Sequence, residues 1–250
     1  MSKKDWHDSE FKTLVTLGES TTAGGWASNP QRIWANLLAQ MINDFQRGPM
    51  HLINVGIGSN VLSPKSAAAT TSGAPTGMER LGKHVFPYEP DLLIISYGLN
   101  DANSGTPLDV FCEELRAIVA MVREVIQPLI VLPGPYYMYG FDYPDCQGSK
   151  QCFSDFNDGV REVAEATECL YVDLFNTYDN ADWLVHRDGM HANDLGHRIC
   201  ANEIFRVLAT NCTGLGKETK LMEDHIQSWR DERSLRRDYG IDTDDRPTAL

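Results

Sequence analysis

Short, unbroken apolar runs alternate along this chain with longer stretches whose apolar residues recur every three or four positions. The short runs are Thr13 to Leu17, His51 to Val55, Asp91 to Tyr97, Leu129 to Leu132 and Leu170 to Leu174. Continuous apolarity over such short spans, bordered by glycine, proline or polar residues, predicts strands buried on both faces. Between them, Ile33, Leu37, Leu38, Met41, Ile42 and Phe45 mark one helical face. Phe111, Leu115, Ile118, Val122 and Val125 mark a second, from about Leu108 to Val125. Phe156, Val160, Val163 and Ala164 mark a third, and Leu195, Ile199, Ile204 and Leu208 a fourth that runs to about Ala209. Asn29 and Asn193 stand where N-caps belong, Pro30 sits at a first helical position, and Gly48-Pro49 is a stop. A short helix, Met78 to His84, follows a Ser-, Ala-, Thr-, Pro- and Gly-rich loop over 63–78. Strand alternating with helix predicts an α/β fold with a parallel five-stranded sheet and helices on both faces.

In such a sheet the carboxyl ends of the strands share one edge, and that edge gathers chemistry. The first strand ends in Gly18-Glu19-Ser20, the second in Gly56-Ile57-Gly58-Ser59-Asn60 and the third in Gly98-Leu99-Asn100-Asp101. The turn Asp188-Gly189-Met190-His191 follows the last strand's connection and can reach the same edge. A serine hydroxyl is a poor nucleophile until a base takes its proton, which His191 can do. Asp188, three residues earlier, can hold the other ring nitrogen and stabilise the imidazolium. The backbone N–H of Ser20, a backbone N–H from Gly58 or Ser59, and the Asn100 side-chain amide can meet charge on a carbonyl oxygen. Each such donor is typically worth about 3–4 kcal/mol of barrier. Taken singly, Ser20 reads as a turn serine, Asn100 as a turn former and His191 as a satisfied histidine. Their convergence favours catalysis. A metal site from His186, Asp188, His191 and His197 fits no familiar ligand spacing, so no metal is expected.

Four blocks in order, spanning roughly Lys12 to Thr210, resemble the SGNH (GDSL-type) hydrolases: Gly18-Glu19-Ser20, Asn54 to Asn60, Gly98 to Asp101, and Asp188 to His191. The resemblance implies a flavodoxin-like three-layer α/β/α sandwich and serine hydrolysis of esters, with no cofactor called for. It assigns Ser20 as nucleophile, His191 as base, Asp188 as its orienting acid and Asn100 as an oxyanion donor. Two positions depart from the family pattern. Glu19 stands for the usual aspartate, with one more methylene, and tolerance is expected. Ser59 stands for a glycine, so the second backbone donor is Gly58 or Ser59. The substrate expected is a small-molecule or carbohydrate ester with a short acyl or acetyl group. The alternatives are an acyltransferase using the same triad, and a carbohydrate- or lipid-binding protein without turnover.

Composition narrows this further. A formal charge of −13 repels phosphate backbones and anionic membranes, which excludes nucleic acid as a partner. No apolar run reaches the roughly 18 residues of a membrane span. Residues 1–8 lack the apolar core of a signal peptide, which predicts a cytoplasmic protein, although a trimmed chain reads the same. Of six cysteines, Cys112, Cys169 and Cys200 have apolar surroundings, and Cys146 and Cys152 flank a polar loop they could close as a local disulfide. Tyr136, Tyr137, Tyr139, Phe141 and Tyr143 crowd that same loop, from Pro133 to Cys152, either covering the sheet edge or walling a pocket. The hydrolase domain is expected over 1–216, with a charged C-terminal helix and polar tail over 217–250 as a solvated appendage, or else as a lid or dimer contact. The oligomeric state is open.

Overall fold

The computed structural model describes residues 3–223, and in it five parallel strands form one sheet in the order β2-β1-β3-β4-β5. They are β1 (Thr13–Gly18), β2 (His51–Asn54), β3 (Leu92–Ser96), β4 (Leu129–Pro133) and β5 (Leu170–Val172). Leu14 of β1 lies beside Leu52 of β2 on one side and Leu92 of β3 on the other. Leu14, Val15, Leu17 and Leu92 to Ile95 are buried, as unbroken apolar runs require of central parallel strands. The helices are α1 (Ser20–Ala23), α2 (Trp34–Asn43), α3 (Leu81–His84), α4 (Leu99–Asn103), α5 (Leu108–Val125), α6 (Lys150–Ala166), α7 (Leu174–Tyr178), α8 (Asp194–Asn211) and α9 (Lys217–Met222).

The chain first steps from β1 outward to β2, then back past β1 to β3, β4 and β5. Parallel crossovers are right-handed, so this reversal puts α2 on one face and α5 and α6 on the other. α2 packs against α8, and α5 against α6. The reversal also opens a crevice between β1 and β3 at the strands' carboxyl ends. Among the described residues no helix is long and apolar enough to cross a membrane.

Several local expectations are corrected. Asn29 caps nothing: Pro30–Arg32 is a single 3-10 turn, Ile33 is extended (ψ 134°), and α2 begins only at Trp34. The Asn29 amide donates instead to Ser28 Oγ, while the Asp194 carboxylate takes both the N–H and the hydroxyl of Ser28. Phe45 lies beyond the end of α2 and is exposed beside Phe205. Val125 and Leu195, expected inside, are exposed because each sits in a terminal turn, where the packed stripe has run out. β5 stops at Val172 because the Asp173 side chain accepts from Asn176 N–H and starts α7. Asn193 does cap α8, accepting from the N–H groups of Leu195 and Gly196 at 3.0 and 3.1 Å. Of the expected C-terminal appendage only α9 and Glu223 are seen; residues 224–250 lie outside the described residues.

Candidate active site

β1 runs buried up to Glu19, and the chain then folds into the single turn of α1, which leaves Ser20 half-buried at the sheet edge. The turn sits hard against the end of β2. A Cβ on Gly56 would stand 2.2 Å from Ala23 N, so only glycine lets the two backbones approach this closely. Asn54 pins the contact, its amide donating to Thr22 O at 2.7 Å and its carbonyl oxygen accepting from Gly56 N–H.

The Asp188 to His191 turn reaches the same edge ahead of α8. Ser20 Oγ lies 2.8 Å from His191 Nε2, and His191 Nδ1 lies 2.7 Å from Asp188 Oδ2. The other oxygen, Asp188 Oδ1, accepts from the N–H groups of Met190 and His191, both at 3.0 Å. Partial burial pushes the Asp188 carboxyl up, but those two N–H groups and the imidazole outweigh it and hold it below the usual carboxylate range. An ionised acceptor on Nδ1 keeps the proton there and leaves Nε2 free to face the serine. Gly25 makes room for the ring: a Cβ there would lie 3.0 Å from His191 Cδ2.

Three sets of donors border Ser20 Oγ's side of the crevice. The N–H groups of Ser20, Gly58 and Ser59 have no backbone partner among the described residues. Gly58 and Ser59 are exposed, and Ser59 takes the left-handed backbone (φ 56°) that glycine favours. Asn100 is carried by α4, whose entry requires the φ of 120° at Gly98. One N–H of the Asn100 amide is fixed on Asn60 O at 2.9 Å, which orients the other.

Comparison with known proteins identifies the family. The model of the GDSL-like lipase/acylhydrolase family matches residues 16–199, most of the chain and the span that holds all four motifs. The chain belongs to the GDSL-like lipase/acylhydrolase family. It is an ester hydrolase of that family by class. An arylesterase from Vibrio mimicus is 24% identical over 185 residues, covering 71% of this chain and 78% of that protein. A lipase/acylhydrolase from Enterococcus faecalis superposes with a TM-score of 0.64 at 21% identity, over 80% of this chain and 96% of that one. An acetylxylan esterase from Geobacillus stearothermophilus does so with a TM-score of 0.60 at 19% identity, over 80% and 95%. At those identities the two structures report the fold.

In this GDSL-like hydrolase the variant residue of the first motif has a clear place. Glu19 is buried, and its carboxyl oxygens accept from Leu99 and Asn100 N–H at 3.0 and 2.9 Å, tying the end of β1 to the start of α4. Burial, together with the nearby charge of Asp101, raises its pKa against the pull of those two N–H groups. Behind Asn100 lies a polar cluster that pattern reading missed. The buried Arg80 guanidinium donates to Val55 O, Gly18 O, Asn60 Oδ1 and Tyr97 Oη, joining the ends of β1, β2 and β3. Tyr97 Oη donates in turn to Asn60 Oδ1 at 2.7 Å. Asn60 thus has both its side chain and its carbonyl fixed, and the carbonyl is what holds Asn100.

The tyrosine loop of this hydrolase braces the histidine turn from below. Tyr136 is buried, stacked on Tyr178, and its hydroxyl accepts from Ala192 N–H at 2.9 Å. Tyr139 Oη donates to His186 O, and the N–H groups of Tyr139 and Gly140 both donate to Gly189 O. Tyr137 donates to Asp182 Oδ1 at 2.9 Å. Cys146 and Cys152 are free thiols, not a disulfide. His197 is buried and committed elsewhere, its Nδ1 accepting from Trp34 N–H and its Nε2 facing Gly25 O, and burial pushes its pKa down. Among the described residues no three His, Cys, Asp or Glu side chains gather as a metal would need.

Proposed function

We propose that this chain is a serine esterase cleaving short-chain acyl or acetyl esters through an acyl-serine intermediate. The observation that carries the reading is the continuous hydrogen-bond chain Ser20 Oγ, His191 Nε2, His191 Nδ1, Asp188 Oδ2, with links of 2.8 and 2.7 Å. In this reading Ser20 Oγ attacks the ester carbonyl carbon and His191 Nε2 takes its proton. Asp188 stabilises the imidazolium that results. The N–H of Ser20, an N–H of the Gly58–Ser59 turn and the free N–H of Asn100 donate to the oxyanion. His191 then protonates the departing alcohol oxygen, and a water activated at the same nitrogen releases the acid. The names of the relatives fit: an arylesterase and an acetylxylan esterase, the latter with solved serine and histidine variants described as catalytic mutants. Both names describe small acyl groups or ring-bearing alcohols. We place the protein among enzymes acting on small-molecule or carbohydrate esters.

The test is hydrolysis of p-nitrophenyl acetate, butyrate and octanoate by the wild-type protein and by Ser20→Ala. The account expects turnover that falls with chain length and drops at least ~10³-fold in the variant. Equal rates in the two proteins would refute the Ser20 mechanism. Product analysis with added alcohol separates hydrolysis from acyl transfer by the same residues, since a transferase would return a new ester in place of free acid.

A further inference from the structure

The most unusual side chain near the site plays no part in that chemistry. Trp26 is 57% exposed, whereas Trp34, eight residues on, is buried and donates its indole N–H to Thr21 O. Trp26 also holds a left-handed backbone, φ 65°, in the Gly24-Gly25-Trp26 turn where a third glycine would sit without strain. A bulky residue kept both exposed and strained beside a reactive site points to a use. One face of its ring stacks on His186, with centroids 4.4 Å apart and planes 7° from parallel. His186 belongs to the histidine turn itself: its N–H donates to His191 O at 2.7 Å, and its Nδ1 accepts from Asp188 N–H at 3.3 Å. The indole therefore rests on the same turn that carries the base, with more than half of its surface open to solvent.

Its position relative to the reacting atoms is set by Gly25. A Cβ on Gly25 would lie 3.5 Å from His191 Nε2, and Trp26 is the next residue, one Cα step of about 3.8 Å along the chain. His191 Nε2 is the atom that hands its proton to the leaving alcohol, so the alcohol must lie on the imidazole's side of Ser20. The oxyanion donors at Gly58, Ser59 and Asn100 come from the other strand ends. Trp26, next to Gly25 and stacked on the histidine turn, stands on the imidazole's side of Ser20, the side to which the alcohol leaves.

We propose that Trp26 is the binding platform for the leaving-group alcohol, and that this alcohol carries a ring with a flat apolar face, aryl or pyranose. This rests on the esterase reading above. Indole faces recognise such rings by stacking, and an aromatic pair typically contributes a two- to roughly tenfold gain beyond its area burial. His186 backs the platform as a positioning residue.

The test compares acetate esters that share one acyl group: 2-naphthyl acetate, acetylated methyl β-xyloside and ethyl acetate. In Trp26→Ala the ratio of kcat/KM for a ring ester to that for ethyl acetate is expected to fall roughly fivefold, carried by KM. Trp26→Phe should restore most of it. A fall for the naphthyl ester alone assigns an aryl alcohol; a fall for the xyloside alone assigns a sugar. An unchanged ratio for both, whether because all rates hold or because all fall together, overturns the proposal. Ligand-observed NMR of 2-naphthol and of methyl β-xyloside binding needs no turnover, so it separates this claim from the esterase reading. Binding to the wild type that is lost in Trp26→Ala supports the platform even if no ester is cleaved. Binding equal in both proteins, or to neither, contradicts it.

Discussion

Single side chains in this molecule are asked to do things their neighbours in sequence do not reveal. Ser59 takes a left-handed φ where the family pattern has glycine, and its backbone N–H stays without a backbone partner in the exposed turn. That position was legible as a departure from a motif, but its conformation was not. Asp101 is the sharper case. It is wholly buried, with one oxygen accepting from Leu62 N–H at 3.2 Å, and burial outweighs the hydrogen bonds that favour its charge and pushes its pKa from 3.8 to about 6. A carboxyl whose folded pKa is raised binds its proton more tightly in the fold. Its contribution to stability is present in full below about pH 4 and is lost as pH rises through about 6. Asp101→Asn should therefore stabilise the protein at pH 8, by about 1–3 kcal/mol, and bring no gain at pH 4. Thermal unfolding of both proteins at the two pH values checks this. A variant gain that is larger at pH 4 than at pH 8 would reverse the sign and refute the assignment.

At the scale of elements, periodicity worked where an element is long and one-sided. α5 was readable to its ends because its apolar residues hold helical spacing throughout. α2 was misjudged at its start because Asn29-Pro30 carries the signature of a capped helix and the structure spends it on an isolated 3-10 turn. The Pro133 to Cys152 loop was legible as aromatic, and as either a cover or a pocket wall. Its role as a brace was not, because the bonds that make it one run to residues some fifty positions away. Arg80 left no trace in pattern at all, since one arginine in a short polar helix reads as solvated. The brace has a measurable consequence. Tyr136→Phe leaves the buried Ala192 N–H without its acceptor, next to His191. It should cost about 1–3 kcal/mol of stability. Turnover should fall along with it, through His191, while KM changes little. Denaturant unfolding and steady-state kinetics on the same preparation test the two halves. Unchanged stability with unchanged kcat would remove the brace from the account.

Across the whole molecule, the strand order decides where chemistry can occur. Reversal of direction at β1 leaves β1 and β3 adjacent with their connections leaving to opposite sides, and Ser20 and Asn100 stand at the two lips of that crevice. Four motifs in order, three at the ends of predicted strands and the fourth in a turn ahead of the last helix, made this much legible from sequence. The α8 cap at Asn193 fixed where the histidine turn must join. What stayed hidden was the support behind the edge, where Glu19, Asn60, Arg80 and Tyr97 bind the strand ends into one rigid frame. The central claim is that this frame presents one activated serine. The most direct measurement is peptide mass analysis after treatment with a p-nitrophenyl alkylphosphonate ester, which traps a nucleophile that a base has activated. The account predicts one phosphonyl group per chain, on the peptide containing Ser20, absent from Ser20→Ala and strongly slowed in His191→Ala. Labelling at any other residue, or labelling of Ser20→Ala as fast as the wild type, would contradict it.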